Sequence, residues 1–333
     1  MVFLMKVKNL MADSRVKLAV LVGPTASGKT AISVRVAQLL QAEIISGDSM
    51  QVYRGLDIGT AKITAAEMAG IPHHLLNTRD PKDDFSVADF REEAAAAIGN
   101  ISKRGNLALL VGGSGLYIAS LLNPYLFMPD SGGDEGFRKR MRQLALEQGD
   151  SFLHQRLADL DSAAAGRIHP HDHYRVVRAL EVIEQTGRSI SEIQEQSQTD
   201  YQMPYQVVMA GLRLKRELLY SRIEQRVDEM LQAGLVNEVK SLLQAGITEQ
   251  STSMRGLGYR HLSAYIRGLC TLEEAVTTLK RDTRRFAKRQ ITWFKRDQRI
   301  QWFDVEDYFL HNQYPCIEEL AQDIAKWFKR EES

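Results

Sequence analysis

The sequence predicts an α/β fold: a parallel sheet with helices on both faces, interrupted by an inserted all-helical domain. Three observations predict it. The apolar run Leu18-Ala19-Val20-Leu21-Val22 leads into Gly23-Pro24-Thr25-Ala26-Ser27-Gly28-Lys29-Thr30, and a helix-like run follows from Ala31 to Leu40. Strand, G-x-x-x-x-G-K-[ST] loop and helix, in that order, open a P-loop NTPase-like core. Two further apolar runs, Glu43–Ser46 and Leu107–Val111, each close in a glycine loop. That is the βαβ rhythm of a parallel sheet whose ligands lie at the strand C-terminal ends. Residues 124–203, by contrast, carry helical patterns and no convincing strand.

The elements follow in order. Glu43-Ile44-Ile45-Ser46 reads as a short buried strand ending in the loop Gly47-Asp48-Ser49-Met50-Gln51. Ser86 suits an N-cap, with Asp89 three residues on and Phe85 stapled against Phe90, so a helix is expected to about Lys103. Leu107 to Val111 is the third strand, closed by Gly112-Gly113-Ser114-Gly115. Asp130-Ser131-Gly132-Gly133 reads as a linker into the insertion, where Asp172 caps a helix ending near Gly187. Gln206 to Leu214 brings the chain back as a core strand through Val207, Val208 and Met209. Helices are expected over Arg216–Ala233, Val236–Ala245 and Leu272–Arg296, and Ile300-Gln301-Trp302-Phe303 as a last strand. The expected domains are a flexible tail over 1–15, a catalytic core from 16–123 and 204–333, and the insertion over 124–203; Met11 offers a second start.

At 333 residues the chain is long enough for about two domains of roughly 150 residues. Its composition, 44% hydrophobic and 26% charged, is that of a globular protein, and a net charge of +1 points to no partner by itself. The two cysteines, Cys270 and Cys316, are far apart and form no C-x-x-C, which excludes a zinc ribbon and a disulfide framework and fits a reduced, cytoplasmic compartment. No apolar run approaches about 18 residues, so no membrane span is expected. The apolar start Met1–Met5 is too short for a signal peptide.

The glycine loop sets the chemistry. Its backbone N–H groups point at an anion, and the following helix adds partial positive charge. Lys29 adds a full charge, and the Thr30 hydroxyl can hold Mg²⁺. The loop binds a polyphosphate without specifying which. Asp48 lies just past the second strand, across from it, and serves either as a general base or as a turn cap. Ser114, in the second glycine turn, either contacts the same anion from the other side or simply closes the turn. The third strand ends in glycines and not in the aspartate that many nucleotide hydrolases place there, which argues against an ATP-driven motor. Arg222 and Arg226 share a helix face. Arg226 borders the stripe Leu219, Ile223, Val227, Met230 and Leu231, and is aimed either at the ligand edge or, more commonly for such a residue, into a salt bridge with Glu224 or Glu229.

Lys280 to Arg299 holds nine basic residues and two acidic ones in an otherwise balanced chain. Arg281, Arg284, Arg285, Lys288 and Arg289 wrap one helix ahead of Trp293 and Phe294, and Arg255 and Arg260 lie beside Tyr259. Cations for phosphates interleaved with rings for unpaired bases favour RNA over a merely solvated face. The His169-Pro170-His171-Asp172-His173 stretch reads as structural, because Pro170 breaks ligand spacing and Asp172 serves as a cap; His73-His74 reads as structural or as part of an RNA surface.

Assembled, these stretches resemble one family, the tRNA dimethylallyltransferases (tRNA isopentenyltransferases). The resemblance rests on Gly23–Thr30, Asp48–Lys62, Pro72–Leu75, Phe85–Phe90 and Gly112–Tyr117, then on His169–Glu181, Arg222–Met230, Gly258–Arg260 and Thr283–Phe294, in order along nearly the whole chain. The resemblance is to the bacterial type, which lacks the C-terminal zinc finger of some eukaryotic relatives. Ser114 stands where the family usually has threonine, which also offers a hydroxyl.

The resemblance implies transfer of a dimethylallyl group from dimethylallyl diphosphate to the N6 amine of the adenosine 3′ of the anticodon, in tRNAs reading codons that begin with U. Gly23, Pro24, Thr25, Ala26, Ser27, Gly28, Lys29 and Thr30 would then hold the diphosphate, with Mg²⁺ on Thr30. Lys29, Ser114 and Arg226 would stabilise the departing charge, and Asp48 would take the amine proton. The tRNA anticodon stem-loop would meet Asp48, Ser49, Met50 and Gln51, then Tyr174, Arg175, Val176, Val177 and Arg178, and then Arg255, Gly256, Leu257, Gly258, Tyr259 and Arg260, alongside the basic Arg284, Arg285 and Lys288. The insertion would grip the RNA, and the expected enzyme is a monomer with no membrane partner. Two rivals share some of these features. A P-loop small-molecule or nucleotide kinase shares the loop and Asp48 but leaves the basic run unexplained. A nucleotide-gated RNA-binding protein explains the basic run but gives Asp48 and Ser114 no task.

Overall fold

The β-branched and apolar runs form one parallel sheet, and its strand ends build the site. The computed structural model describes residues 15–123, 134–200, 203–306 and 314–331. The expected linker Asp130–Gly133, and all but the last residue of the expected tail over 1–15, lie outside the described residues. The strands are β1 (Val16–Val22), β2 (Ala42–Ser46), β3 (His73–His74), β4 (Leu107–Gly112), β5 (Tyr205–Arg213) and β6 (Ile300–Asp304). They lie in the order β3-β2-β4-β1-β5-β6, every pair parallel, with Leu21 of β1 against Val111 of β4 and Ala210 of β5. β1 is central and buried on both faces, which explains its unbroken apolar run.

The chain divides into two compact units, Met1–Leu121 with Pro204–Ser333, and Leu122–Met203. In the first unit, α1 (Lys29–Leu40) packs against α13 (Tyr314–Glu331). Ile32 and Val36 of α1 and Ile324 and Phe328 of α13 share a core with Ala19, Leu21, Leu109, Ala210 and Leu212 of the sheet. Alternation along β1 turns the buried Leu18, Val20 and Val22 to the opposite face. Helix α2 (Val87–Lys103) buries Phe90, Ala94, Ile98 and Ile101 and packs on β1, β2 and β4. Its capping box is present: Ser86 Oγ accepts from Asp89 N–H, and Asp89 accepts from Ser86 N–H. The Tyr117 ring meets both Phe85 and Phe90, at 6.1 and 4.6 Å between centroids.

Glu43 fastens the β2 edge. It accepts from Arg104 and Asn106 and lies 2.7 Å from His74 Nε2, and the Arg104 contact above all lowers its carboxyl to about 2. His73-His74 is therefore a short strand, and His74 completes this structural cluster.

After β4, α3 (Gly115–Leu122) starts at once, where only a turn was expected. The second unit holds α4 (Glu135–Gln148), α5 (Asp150–Leu160), α6 (Ser162–Arg167), α7 (His173–Thr186) and α8 (Ile190–Asp200) around its own core of Phe137, Met141, Leu153, Leu157, Val176 and Leu180. Asp172 caps α7 by accepting from Arg175 N–H, and Gly187 ends it at a φ of 68°. The first unit then continues through α9 (Arg216–Gln232), α10 (Leu235–Gln244), a 3₁₀ turn (Thr252–Arg255), α11 (Leu257–Ile266) and α12 (Leu272–Phe294).

Candidate active site

Because all strands run the same way, the loops after β1, β2 and β4 open on one edge. These loops carry Lys29 and Thr30, Asp48, and Ser114, and all four residues line one cavity of about 420 Å³. The loops after β2 and β4 are drawn close together. Gly47 N–H donates to Val111 C=O at 2.7 Å, and a Cβ on Gly112 would sit 2.4 Å from Gly47 O.

The loop after β1 bends through left-handed Ala26 and Gly28, at φ of 63° and 83°, and delivers its chain into the N-terminus of α1. Three groups hold it. Thr25 N–H donates to Gln290 Oε1 at 2.9 Å, Arg222 Nε donates to Ala26 C=O at 3.0 Å, and Lys29 Nζ donates to Pro24 C=O at 2.7 Å. Gln290 also donates to Gly113 C=O at 3.0 Å, so one buried amide from α12 spaces the first glycine loop from the second. Gly113 has no room for a side chain, since its Cβ would lie 2.4 Å from Gln290 Nε2.

The electrostatics are those of an anion cradle. Burial first, then the adjacent Arg226, bring the Lys29 ammonium down to about 7, while Asp48 acts in the opposite sense. Burial lowers the Arg226 guanidinium also. Arg226 donates to Thr60 C=O at 3.4 Å, while Glu224 pairs with Arg284 and Glu229 accepts from Gln225. The salt bridge expected as the commoner fate of Arg226 is thus replaced by a wall contact in the cavity. Of the two readings given to Asp48, the turn cap is present. Its Oδ1 accepts from Met50 N–H at 2.8 Å and caps the turn, and that bond holds the carboxylate at the cavity. A second cavity, of about 750 Å³, also reaches Lys29, Thr30 and Arg226.

The family described as IPP transferase matches residues 51–297, about three-quarters of the sequence. A tRNA dimethylallyltransferase from Symbiobacterium thermophilum is 50% identical over 318 residues, covering 95% of this chain and 98% of that one. The chain belongs to the IPP transferase family. The crystal structure of the full-length tRNA isopentenylpyrophosphate transferase of Bacillus halodurans is similar, with 44% identity, a TM-score of 0.70, and 95% and 98% of the two chains covered. A eukaryotic dimethylallyltransferase captured in crystallographic snapshots acting on tRNA has a TM-score of 0.74 at 26% identity, covering 92% of this chain and 84% of that one.

Within this family member the expected RNA-facing residues fall into separate groups. Asp48, Ser49, Met50, Gln51 and the stretch Arg255–Arg260 line the same cavity as Lys29, with Arg255 and Arg260 exposed and Tyr259 buried. In the helical unit, Tyr174 is 78% exposed and Arg175 is exposed, whereas Val176 and Val177 are 1% and 8% exposed. The Val176 and Val177 side chains belong to that unit's core, so they support α7 and leave the surface to Tyr174 and Arg175. Arg178 is tied to the buried Glu181 at 2.6 Å.

Helix α12 divides its basic residues between faces. Thr283, Phe286, Arg289 and Gln290 line the cavity. Arg284 instead pairs with Glu224 and lies over the Tyr220 ring, and Lys288 borders a different groove with Arg216 and Lys295. Arg289 is thus the basic side chain of the Arg284–Arg289 run that lines the cavity; the sequence reading had set Arg284, Arg285 and Lys288 against the RNA. Gln290 sits in the family-like stretch Thr283–Phe294 but carries no mark of its own. Glu238, described below, had no sequence signal, because its partners lie about 20 and 180 positions away. His171 and His173 share Asp150, at 2.8 and 2.9 Å.

Proposed function

We propose that this enzyme transfers a dimethylallyl group from dimethylallyl diphosphate to the exocyclic N6 of the adenosine 3′ of the anticodon, in tRNAs reading codons that begin with U. The observation that carries this reading is a single cavity in which a polyphosphate loop, two cations and a carboxylate meet exposed arginines. As the allylic C–O bond stretches, negative charge grows on the diphosphate. Lys29, Arg226, Ser114 and the loop N–H groups oppose that charge; one such contact is worth about 3–4 kcal/mol. The adenine amine is a weak nucleophile, since its lone pair is shared with the ring. Asp48, fixed by Met50 N–H, takes the proton that N6 loses as the N–C bond forms. The base leaves its stack to reach the reacting carbon, at a cost of a few kcal/mol, and Gln51 receives it.

Mg²⁺ fits this site on its donor chemistry: the Thr30 hydroxyl is a hard oxygen ligand lining the cavity, and a diphosphate would supply others. When bound, it adds positive charge beside the leaving oxygens. The helical unit contributes Tyr174 and Arg175 to stem-loop binding, and the enzyme acts as a cytoplasmic monomer. Among the described residues no helix is long and apolar enough to cross a membrane.

Incubation with labelled dimethylallyl diphosphate and an anticodon stem-loop tests the reading. Label in the RNA with stoichiometric diphosphate release supports it. A phosphorylated product formed from ATP would support the kinase instead, and RNA binding without any transfer would leave a binding protein.

A further inference from the structure

We propose that Glu238 is a positioning residue that sets the nucleobase side of the cavity; the inference rests on the function proposed above. Glu238 lies on α10 and does not line the cavity. Its Oε2 accepts from Asp57 N–H at 3.0 Å and Ile58 N–H at 2.8 Å. Its Oε1 accepts from Gly59 N–H at 3.0 Å and from the Tyr259 hydroxyl at 2.7 Å. Three successive backbone N–H groups facing one point form an anion nest, and here the protein fills the nest with its own carboxylate. The Tyr259 ring occupies the space where a Cβ on Gly59 would stand, 2.6 Å from Cζ. One side chain therefore clamps the loop 57–60 to α11.

The clamp has a chemical consequence one residue on. Thr60 C=O accepts from Gln51 Nε2 at 3.3 Å, and Gln51 Oε1 accepts from Ser46 Oγ at 3.0 Å. The amide orientation of Gln51 is thus fixed by a carbonyl whose position Glu238 dictates. Arg226 touches the same carbonyl at the longer 3.4 Å, but its helix is anchored separately, through Arg222 to Ala26. Loosening the clamp should disturb the nucleobase end and spare the diphosphate end.

Glu238→Gln tests this on the full chain, because its amide NH₂ cannot accept from the N–H groups that Glu238 serves. The expected result is a fall of about tenfold or more in kcat/KM for the stem-loop, as loosened positioning produces, with the Kd for inorganic diphosphate within about twofold of wild type. Hydrogen exchange over 57–60 should accelerate while the rest of the core keeps its protection. Unchanged kcat/KM, or parallel losses of RNA turnover and diphosphate affinity, would overturn the proposal. Should Glu238→Gln not fold, Tyr259→Phe decides: it removes one of the four bonds, and a several-fold loss confined to the RNA side supports the clamp, while wild-type behaviour rejects it. Failure of the wild-type enzyme to prenylate RNA would strike the proposed function and not the clamp, which the exchange measurement reads alone.

Discussion

Lys29 carries its charge beside a second cation. Burial and Arg226 together place its ammonium at about 7, so near neutrality the ligand-free protein holds much of it unprotonated. An arriving diphosphate reverses the balance, since its negative charge favours the protonated form. Binding therefore takes up a proton. The sign follows: affinity is greatest below about 7 and falls as pH rises above it, by up to about tenfold per pH unit until the value in the complex is reached. Calorimetric titration of inorganic diphosphate from about pH 6 to about pH 9 checks this, and Lys29→Met should be weaker throughout and lose that part of the slope. Asp48 makes the complementary case. Its role was open in the sequence between base and cap; its Oδ1 accepts from Met50 N–H, which is the cap, and the base is the role proposed for it. Asp48→Ala should lower kcat by about 10²- to 10⁴-fold, the usual span for a lost general base, with stem-loop affinity near wild type. Lost affinity with intact single-turnover chemistry would remove Asp48 from the proton transfer.

At the scale of elements, α12 shows both what a sequence displays and what it hides. The run of cations from Arg281 to Arg289 was plain, and so was its helix, capped by Thr271 with Glu274 in a capping box. Which cations meet the cavity depends on where α9 and the glycine turns press against that helix, and such contacts are long in sequence. Arg284 faces α9 and pairs with Glu224; Arg289 and Gln290 face the cavity. The same division holds across the fold. The strands and capped helices that depend on local pattern, such as β1, α2 and α7, were legible to within a residue or two. The two-residue β3 was not, because only pairing with β2 makes it a strand. That Lys29, Asp48 and Ser114 share one cavity was legible because parallel strands bring successive loops to one edge; the hydrogen bonds of Gln290 and Glu238 were not, because they cross the chain. The face assignment is testable. Arg289→Ala should lower stem-loop kcat/KM and flatten its salt dependence by about one phosphate contact. Arg284→Ala should chiefly cost stability, about 0.2–1 kcal/mol for its partly exposed pair, seen in denaturant unfolding. Equal effects of the two on salt dependence would refute the division.

On the scale of the whole molecule, each unit has its own core. The sheet closes without the insertion: β1 pairs with β5 from Val16↔Tyr205 to Val22↔Gly211, although more than a hundred residues separate the two strands. The helical unit closes around Phe137, Met141, Leu153, Leu157 and Leu180, with Glu181 buried beneath Arg138 and Arg178. The loop, the cations and the carboxylate all belong to the first unit, whereas the exposed Tyr174 and Arg175 belong to the second. Diphosphate binding and RNA grip should therefore separate when the insertion is removed. Replacing residues 123–203 by a flexible glycine-serine linker should leave the Kd for inorganic diphosphate within about threefold, because loop closure changes slowly with loop length. Stem-loop affinity should fall by about tenfold or more, as expected when a basic, ring-bearing surface is lost from an RNA contact. Calorimetry reads the first quantity and filter binding the second. If the shortened enzyme bound the stem-loop as tightly as the full chain, the RNA would be held by Arg255, Arg260 and Arg289 alone, and the helical unit would need another purpose.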